Sequence, residues 1–291
     1  MPELPDLRIL QEAFQAALVG RALTDWAAPQ SIVVRGTAAE IAGLLGQPLL
    51  DVEHRGKFLT LRFAAGGRIV INAMLTGRLG LAAVGAKPFP QTAVVMTFGP
   101  RIREVRRKAV AWTRKAKWLP ADDAPIELRY RDTLKMGKIY VLPTDVVRPV
   151  AGWDVQGPDS DDPALDLAAW RRRIKKHSGE LKNLIKNQEF VAGIGNGYSD
   201  EVLWAAGLAP FRKRSTLAAE EVDDLYRAVR EVPAWAIDEL RQRVPPRFEV
   251  EVRDFLRVHR RGGEDCPRCG TRLSEVSPGG FVTTWCRGCQ Q

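Results

Sequence analysis

The sequence contains no apolar run approaching the ~20 residues that a membrane-spanning helix needs, which argues against a membrane protein. It has no cysteine before position 266, no internal repeat and no low-complexity segment. Disulfide-rich, repetitive and disordered architectures are thereby disfavoured. The opening Met1-Pro2-Glu3-Leu4-Pro5-Asp6 is acidic and proline-rich, unlike a signal or transit peptide. A cytoplasmic location is expected. What is present is an ordinary globular mixture of 291 residues, 45% apolar and 27% charged. At roughly 150 residues per domain, two domains are expected. Lys and Arg number 44 against 35 Asp and Glu, a net charge of +9. That balance invites a polyanionic partner, although charge speaks to association and not to chemistry.

The four cysteines all fall in the last 26 residues, as Cys266-x-x-Cys269 and Cys286-x-x-Cys289 separated by sixteen residues. Two such turns can offer four thiolates to one tetrahedral ion. Two disulfides are the alternative, but nothing else indicates an oxidising compartment. One structural Zn²⁺ is therefore expected, with no open coordination position for catalysis. Phe281–Trp285 reads as a strand after the Pro278-Gly279-Gly280 turn, giving a β-hairpin finger. Arginines 257, 260, 261, 268, 272 and 287 make its surroundings basic.

Along the chain, residues 5–19 predict a helix with Leu7, Leu10, Phe14, Ala17 and Leu18 on one face. From 31 to 145, short β runs such as Phe58–Phe63, Arg68–Ile71 and Ala93–Phe98 alternate with Gly and Pro signals. They predict an antiparallel sandwich or barrel. Residues 101–140 carry twelve Lys/Arg against five Asp/Glu, readable as a solvated face or a nucleic-acid face. A linker is expected over 147–165. Helices follow at roughly 166–176, 179–187, 198–206 and 218–241. Between two of them, Gly193-Ile194-Gly195-Asn196-Gly197 opens a helix. Glycines permit close backbone approach there, and the amides of a helix start attract an anion.

The start Met1–Asp6, the segment His54-Arg55-Gly56-Lys57-Phe58-Leu59, the turn Gly193–Glu201 and the cysteine finger occur in that order. Together they resemble the formamidopyrimidine-DNA glycosylase / endonuclease VIII family over essentially the whole chain. The resemblance implies an α+β multidomain fold. An N-terminal antiparallel β-sandwich flanked by helices would occupy residues 1–147. A helix–two-turn–helix domain would occupy 148–255, and a β-hairpin zinc finger 256–291. It also implies a monomer acting on damaged duplex DNA, bound to the nucleoid when engaged.

By the same resemblance, Pro2 is the nucleophile once Met1 is removed. Its secondary amine attacks the sugar C1′ and forms an iminium that supports strand cleavage. Glu3 handles protons at the sugar O4′; taken alone it is also a favourable helix N-terminal carboxylate. Lys57 contacts phosphate beside the lesion, or is simply a solvated lysine. Asn196 and the neighbouring amides grip the same strand. Met74 fills the void left by the extruded nucleotide, with a core methionine as the bland alternative. Three places depart from the family pattern. Phe281 stands where a finger-tip arginine is usual, with Arg287 nearby. The wedge loop reads Asp132-Thr133-Leu134-Lys135-Met136-Gly137, with Leu134 and Met136 replacing an arginine and a phenylalanine. The lesion-capping loop between Phe255 and Val258 is short. These changes predict weak reading of the opposite base. Formamidopyrimidines, oxidised pyrimidines or alkylated bases are expected ahead of 8-oxoguanine. A monofunctional glycosylase and a non-catalytic lesion-binding protein are the competing readings.

Overall fold

The computed structural model describes residues 1–102, 105, 116–144 and 148–291. Much of the basic stretch 101–140 lies outside the described residues, so neither reading of it is decided by the fold.

In chain order the elements are α1 (Leu4–Leu18), β1 (Arg21–Ala27), β2 (Val34–Arg35), α2 (Ala38–Ala42), β3 (Leu49–Arg55), β4 (Phe58–Phe63), β5 (Arg68–Asn72), β6 (Gly77–Ala83), β7 (Thr92–Arg101), β8 (Ile126–Asp132) and β9 (Lys138–Leu142). Then come α3 (Leu167–Ile174), α4 (Leu181–Lys186), α5 (Asn196–Ala206), α6 (Ala219–Arg243), β10 (Leu273–Val276) and β11 (Thr283–Cys286). They form two compact units. One comprises Met1–Pro2, Asp6–Asp154 and Arg241–Glu251; the other comprises Glu3–Pro5, Val155–Leu240 and Val252–Gln291.

The first unit holds two sheets, ordered β1-β7-β8-β6 and β2-β9-β5-β4-β3. Among the described residues, every strand pairing in these two sheets is antiparallel except the two-residue β2–β9 match. The expected antiparallel β architecture is thus present. Helix α1 differs in one respect from its sequence pattern. Leu7, Leu10, Phe14, Ala17 and Leu18 are buried as predicted, but so are Ile9, Ala13 and Ala16. The helix is enclosed on nearly all sides, which small alanines at 13, 16 and 17 allow. Its C-terminal carbonyls would otherwise be orphaned in that interior. The fully buried Arg21 bonds Ala17 O at 2.9 Å, and Arg101 bonds Ala16 O at 3.0 Å. Gln11 and Gln15 exchange hydrogen bonds with the Val52 backbone at 3.1 and 3.0 Å, fixing α1 to β3.

The second unit packs its helices around Trp170, Leu181, Phe190, Ile194, Tyr198, Val202 and Val229. Asp166 caps α3 by accepting from the Ala169 amide at 2.6 Å. Gly207, at φ +72°, closes α5 in the left-handed conformation. The finger is an antiparallel pair in which Val276 faces Thr283 and Leu273 faces Cys286. Its second strand begins at Thr283, two residues later than predicted. Residues 278–280 form a 3₁₀ turn, and Phe281 lies beyond the last cross-strand pair.

Candidate active site

Pro2 is buried in the first unit. With Asp6, Ile9, Leu10, Leu79 and Phe248 it lines a small, open-mouthed recess of about 30 Å³. Arg78 and Glu251 complete the wall and form an ion pair. Arg78 is also tied to the Leu75 and Gly77 carbonyls at 3.1 and 2.8 Å. The recess is therefore mainly apolar, with the Asp6 carboxyl and one oriented pair of opposite charges. Lys57 does not line it. That residue follows Gly56, at φ +55°, on the β3–β4 turn and is half-buried.

Two loops of this unit carry Met74 and the predicted wedge residues Leu134 and Met136, and Asp132 joins them. Its buried carboxylate accepts from the Thr76 hydroxyl, from Tyr130 OH at 2.9 Å and from the Gly137 amide at 2.8 Å. Thr76 Oγ1 in turn accepts from the Leu134 amide at 3.2 Å. The 73–76 and 132–137 loops are thus one hydrogen-bonded assembly. It displays Leu134, Met136 and Leu75, 58%, 37% and 40% exposed, with Lys135 also exposed. Met74 is half-buried at φ +49°, a conformation uncommon outside glycine. Burial pushes the Asp132 carboxyl up, but the Thr76, Gly137 and Tyr130 hydrogen bonds outweigh it and hold it below its ordinary value. Burial and the Asp132 charge push the Tyr130 phenol up.

In the second unit the glycine-rich turn receives an anion, as its helix start favours, but the anion is the chain's own. Glu3 Oε2 accepts from the Gly195 amide at 2.5 Å and the Tyr198 amide at 3.3 Å; Oε1 accepts from Gly197 at 2.9 Å. Those amides are therefore not the phosphate donors that the sequence suggested. The glycines follow from this contact. A Cβ at Gly195 would lie 2.6 Å from Glu3 Cδ, and one at Gly193 would lie 2.6 Å from Leu4 Cβ.

Asn196 donates to Val282 O at 2.8 Å, placing it against the finger. The same carbonyl accepts from Lys182 Nζ at 2.8 Å, and Thr283 Oγ1 lies 2.9 Å from that ammonium. Lys182 is buried and paired with Asp200 at 2.7 Å. Burial lowers the Lys182 pKa, and Asp200 opposes that shift. Asp200 also meets His259 Nδ1 at 2.7 Å. Next in sequence, Glu201 accepts from the amides of Arg257, Val258 and His259 at 3.0, 2.8 and 2.9 Å, and burial raises its pKa. Sequence reasoning passed over Lys182, Asp200, Glu201 and His259. The available signal was an Asp-Glu pair inside an otherwise apolar helix, because buried acids need partners.

The four cysteines are free of disulfides, and their sulfur atoms lie within 4.8 Å of one another. Cys266 and Cys289 are 3.8 Å apart, Cys269 and Cys286 3.5 Å. A tetrahedron with 2.3 Å bonds has edges of about 3.8 Å, so the cluster is compatible with a zinc site. The Thr271 hydroxyl holds the Cys269 thiol down to about 6, whereas burial pushes Cys289 up to about 12. Trp204 Nε1 donates to Cys266 Sγ at 3.3 Å, a second layer of support. At the finger tip Phe281 is 53% exposed, and Arg287 lies 5.8 Å from the Trp285 ring centre.

Two family models match successive parts of the chain: the formamidopyrimidine-DNA glycosylase N-terminal domain over residues 1–139, and the formamidopyrimidine-DNA glycosylase H2TH domain over 156–244. The chain belongs to the formamidopyrimidine-DNA glycosylase family. It is accordingly a DNA-binding enzyme of the glycosylase class. The protein of that name from Pelotomaculum thermopropionicum is 26% identical over 298 residues, covering 100% of this chain and 99% of the relative. The one from Thermomicrobium roseum is 29% identical over 305 residues, with the same coverage. Among solved structures, the MutM (Fpg) protein of Thermus thermophilus superposes with a TM-score of 0.78 at 26% identity, covering 99% of this chain and 98% of that one. The Lactococcus lactis enzyme bound non-covalently to DNA containing an AP site gives 0.79 at 25% identity, covering 99% of each chain.

Proposed function

We propose that the chain excises damaged bases from duplex DNA and cleaves the strand through the Pro2 nitrogen. The observation that carries this reading is Pro2 lining an apolar recess while the next residue, Glu3, is held by three backbone amides. With Met1 removed, the Pro2 nitrogen attacks C1′, and the base leaves with the bonding electrons and takes a proton from solvent. The C1′–O4′ bond then opens as Pro2 forms an iminium, and the proton that Pro2 gives up passes by way of the Glu3 carboxylate to O4′. The iminium acidifies C2′; loss of that proton expels the 3′ phosphate, and a second elimination can release the sugar. Lys57 and Asn196 hold the backbone around the lesion. Met74 fills the space left by the extruded nucleotide, and Leu134 and Met136 of the wedge loop face the opposite base, with Lys135 beside them. Asp132 gives that assembly a fixed shape. Phe281 and Arg287 belong to the DNA-facing finger, whose four cysteines would hold one Zn²⁺ in a structural role.

The recess beside Pro2 has mainly apolar walls, with Asp6, Arg78 and Glu251 as its charged groups. Leu134 offers no hydrogen-bond donor to an opposite base, Met136 stands in place of a phenylalanine wedge, and the loop between Phe255 and Val258 is short. These features favour formamidopyrimidines, oxidised pyrimidines or alkylated bases, with weak dependence on the opposite base. The enzyme would work in the cytoplasm, on nucleoid DNA.

Borohydride reduction during turnover tests the mechanism. A covalent protein–DNA adduct is expected on duplexes containing abasic sites, and Pro2→Gly should reduce it at least tenfold. Base release without an adduct would instead establish a monofunctional glycosylase. Binding without base release across a lesion panel would establish a lesion-binding protein. Strong, cytosine-dependent excision of 8-oxoguanine would overturn the lesion assignment alone.

A further inference from the structure

Phe281 projects from the finger with about half its surface exposed, an unusual cost for a phenyl ring at a loop tip. It is not a mobile appendage. The carbonyl of the next residue, Val282, accepts from Lys182 of α4 and Asn196 of α5, both at 2.8 Å. The Thr283 side chain receives Lys182 as well. Lys186 lies one helical turn after Lys182 on the same face of α4. Lys182 is buried and neutralised by Asp200. The Lys186 ammonium instead sits 5.4 Å over the Phe281 ring centre, close enough for a cation–π contact. The helix that anchors the finger thus also sets a cation on its tip. An apolar ring face beside a fixed ammonium matches the alternation of a nucleic-acid backbone, where deoxyribose and base present apolar surface and phosphate presents charge.

We infer that Lys186 and Phe281 act as one composite DNA contact, the α4 lysine supplying the phosphate charge that the finger tip itself lacks and the phenyl ring packing on the adjacent sugar or base. This deepens the DNA-binding part of the proposed function and is independent of the chemistry at Pro2.

The test is equilibrium binding of the full-length protein to a duplex carrying a tetrahydrofuran abasic analogue, measured over a series of KCl concentrations. A lysine that neutralises one phosphate contributes about 0.9 to the slope of log K against log salt. Lys186→Ala should lower the slope by about that amount and weaken binding roughly fivefold to tenfold at low salt. Lys186→Arg should keep both. Phe281→Ala should weaken binding with little change in slope. Phe281→Arg in the Lys186→Ala background should restore the slope, an outcome that a merely structural lysine would not produce. An unchanged slope in Lys186→Ala, or failure of the Phe281→Arg rescue, overturns the inference. Borohydride trapping of the wild type in the same preparation reads the proposed chemistry separately: trapping with an unchanged slope defeats only the composite contact, and a lost slope without trapping defeats only the mechanism.

Discussion

Both carboxylate oxygens of Glu3 are engaged by backbone amides, so its position depends on how closely the chain can approach it. Gly195 is the sensitive point. Its φ of −127° is open to any residue, yet a methyl group there would lie 2.6 Å from Glu3 Cδ. Gly195→Ala should therefore displace the carboxylate without straining the backbone. A shift of about 1 Å in a reacting group can cost on the order of a hundredfold in rate. We expect single-turnover base excision to fall by about that factor while affinity for the abasic-analogue duplex changes little; equal losses in both would show that the turn, and not Glu3, had been damaged. At this scale the sequence was partly legible. Three glycines around Asn196 announced a close approach and an anion. They did not reveal that the anion lies nearly two hundred residues away in the same chain, because sequence spacing carries no information about such a meeting.

Among the elements, the paired loops at 73–76 and 132–137 are governed by one carboxylate. Asp132→Asn would turn one acceptor oxygen into a donor facing other donors, and hydrogen bonds to a buried charge are worth about 1.5–3 kcal/mol each. Urea unfolding at pH 7 should show a loss of that order. The folded Asp132 pKa is depressed, so its contribution is complete above the unfolded value near pH 4 and disappears as pH falls through the folded value. The stability gap between wild type and Asp132→Asn should accordingly narrow below about pH 4. A gap that stayed constant to pH 2 would contradict the assigned hydrogen bonds. Strands Phe58–Phe63 and Arg68–Asn72 were legible from their apolar runs, since both are central in a sheet and buried along most of their length. The register of the finger strand was less so. Phe281 has the β propensity of its neighbours, but the 3₁₀ turn before it consumes the residues that would have paired. Helix α1 read as one-faced because its alanines are neutral to periodicity, although they are the residues that let it be enclosed.

At the level of the whole molecule, the cysteine cluster is the feature that composition announced most directly, and the second unit depends on it in more ways than spacing could show. Trp204 reaches Cys266 from α5, Gln290 bonds the Cys286 amide at 2.8 Å, and Lys182 and Asn196 hold the carbonyl at Val282. Four sulfur atoms this close cannot all be thiolates without a cation to balance them. On the proposed zinc assignment, a strong chelator should release one Zn²⁺ per chain and expose four titratable thiols. The finger should then loosen from α4 and α5, so amide exchange should accelerate at Thr283, Thr284 and Cys286. Exchange in the β-sheets of the first unit should stay as it was, because among the described residues their ladder hydrogen bonds run within the sheets. Affinity for abasic-analogue DNA should fall at least tenfold and return on adding zinc. Retained affinity after verified loss of the metal would mean that the finger makes no contribution to DNA binding, and with it the Lys186–Phe281 contact would be excluded.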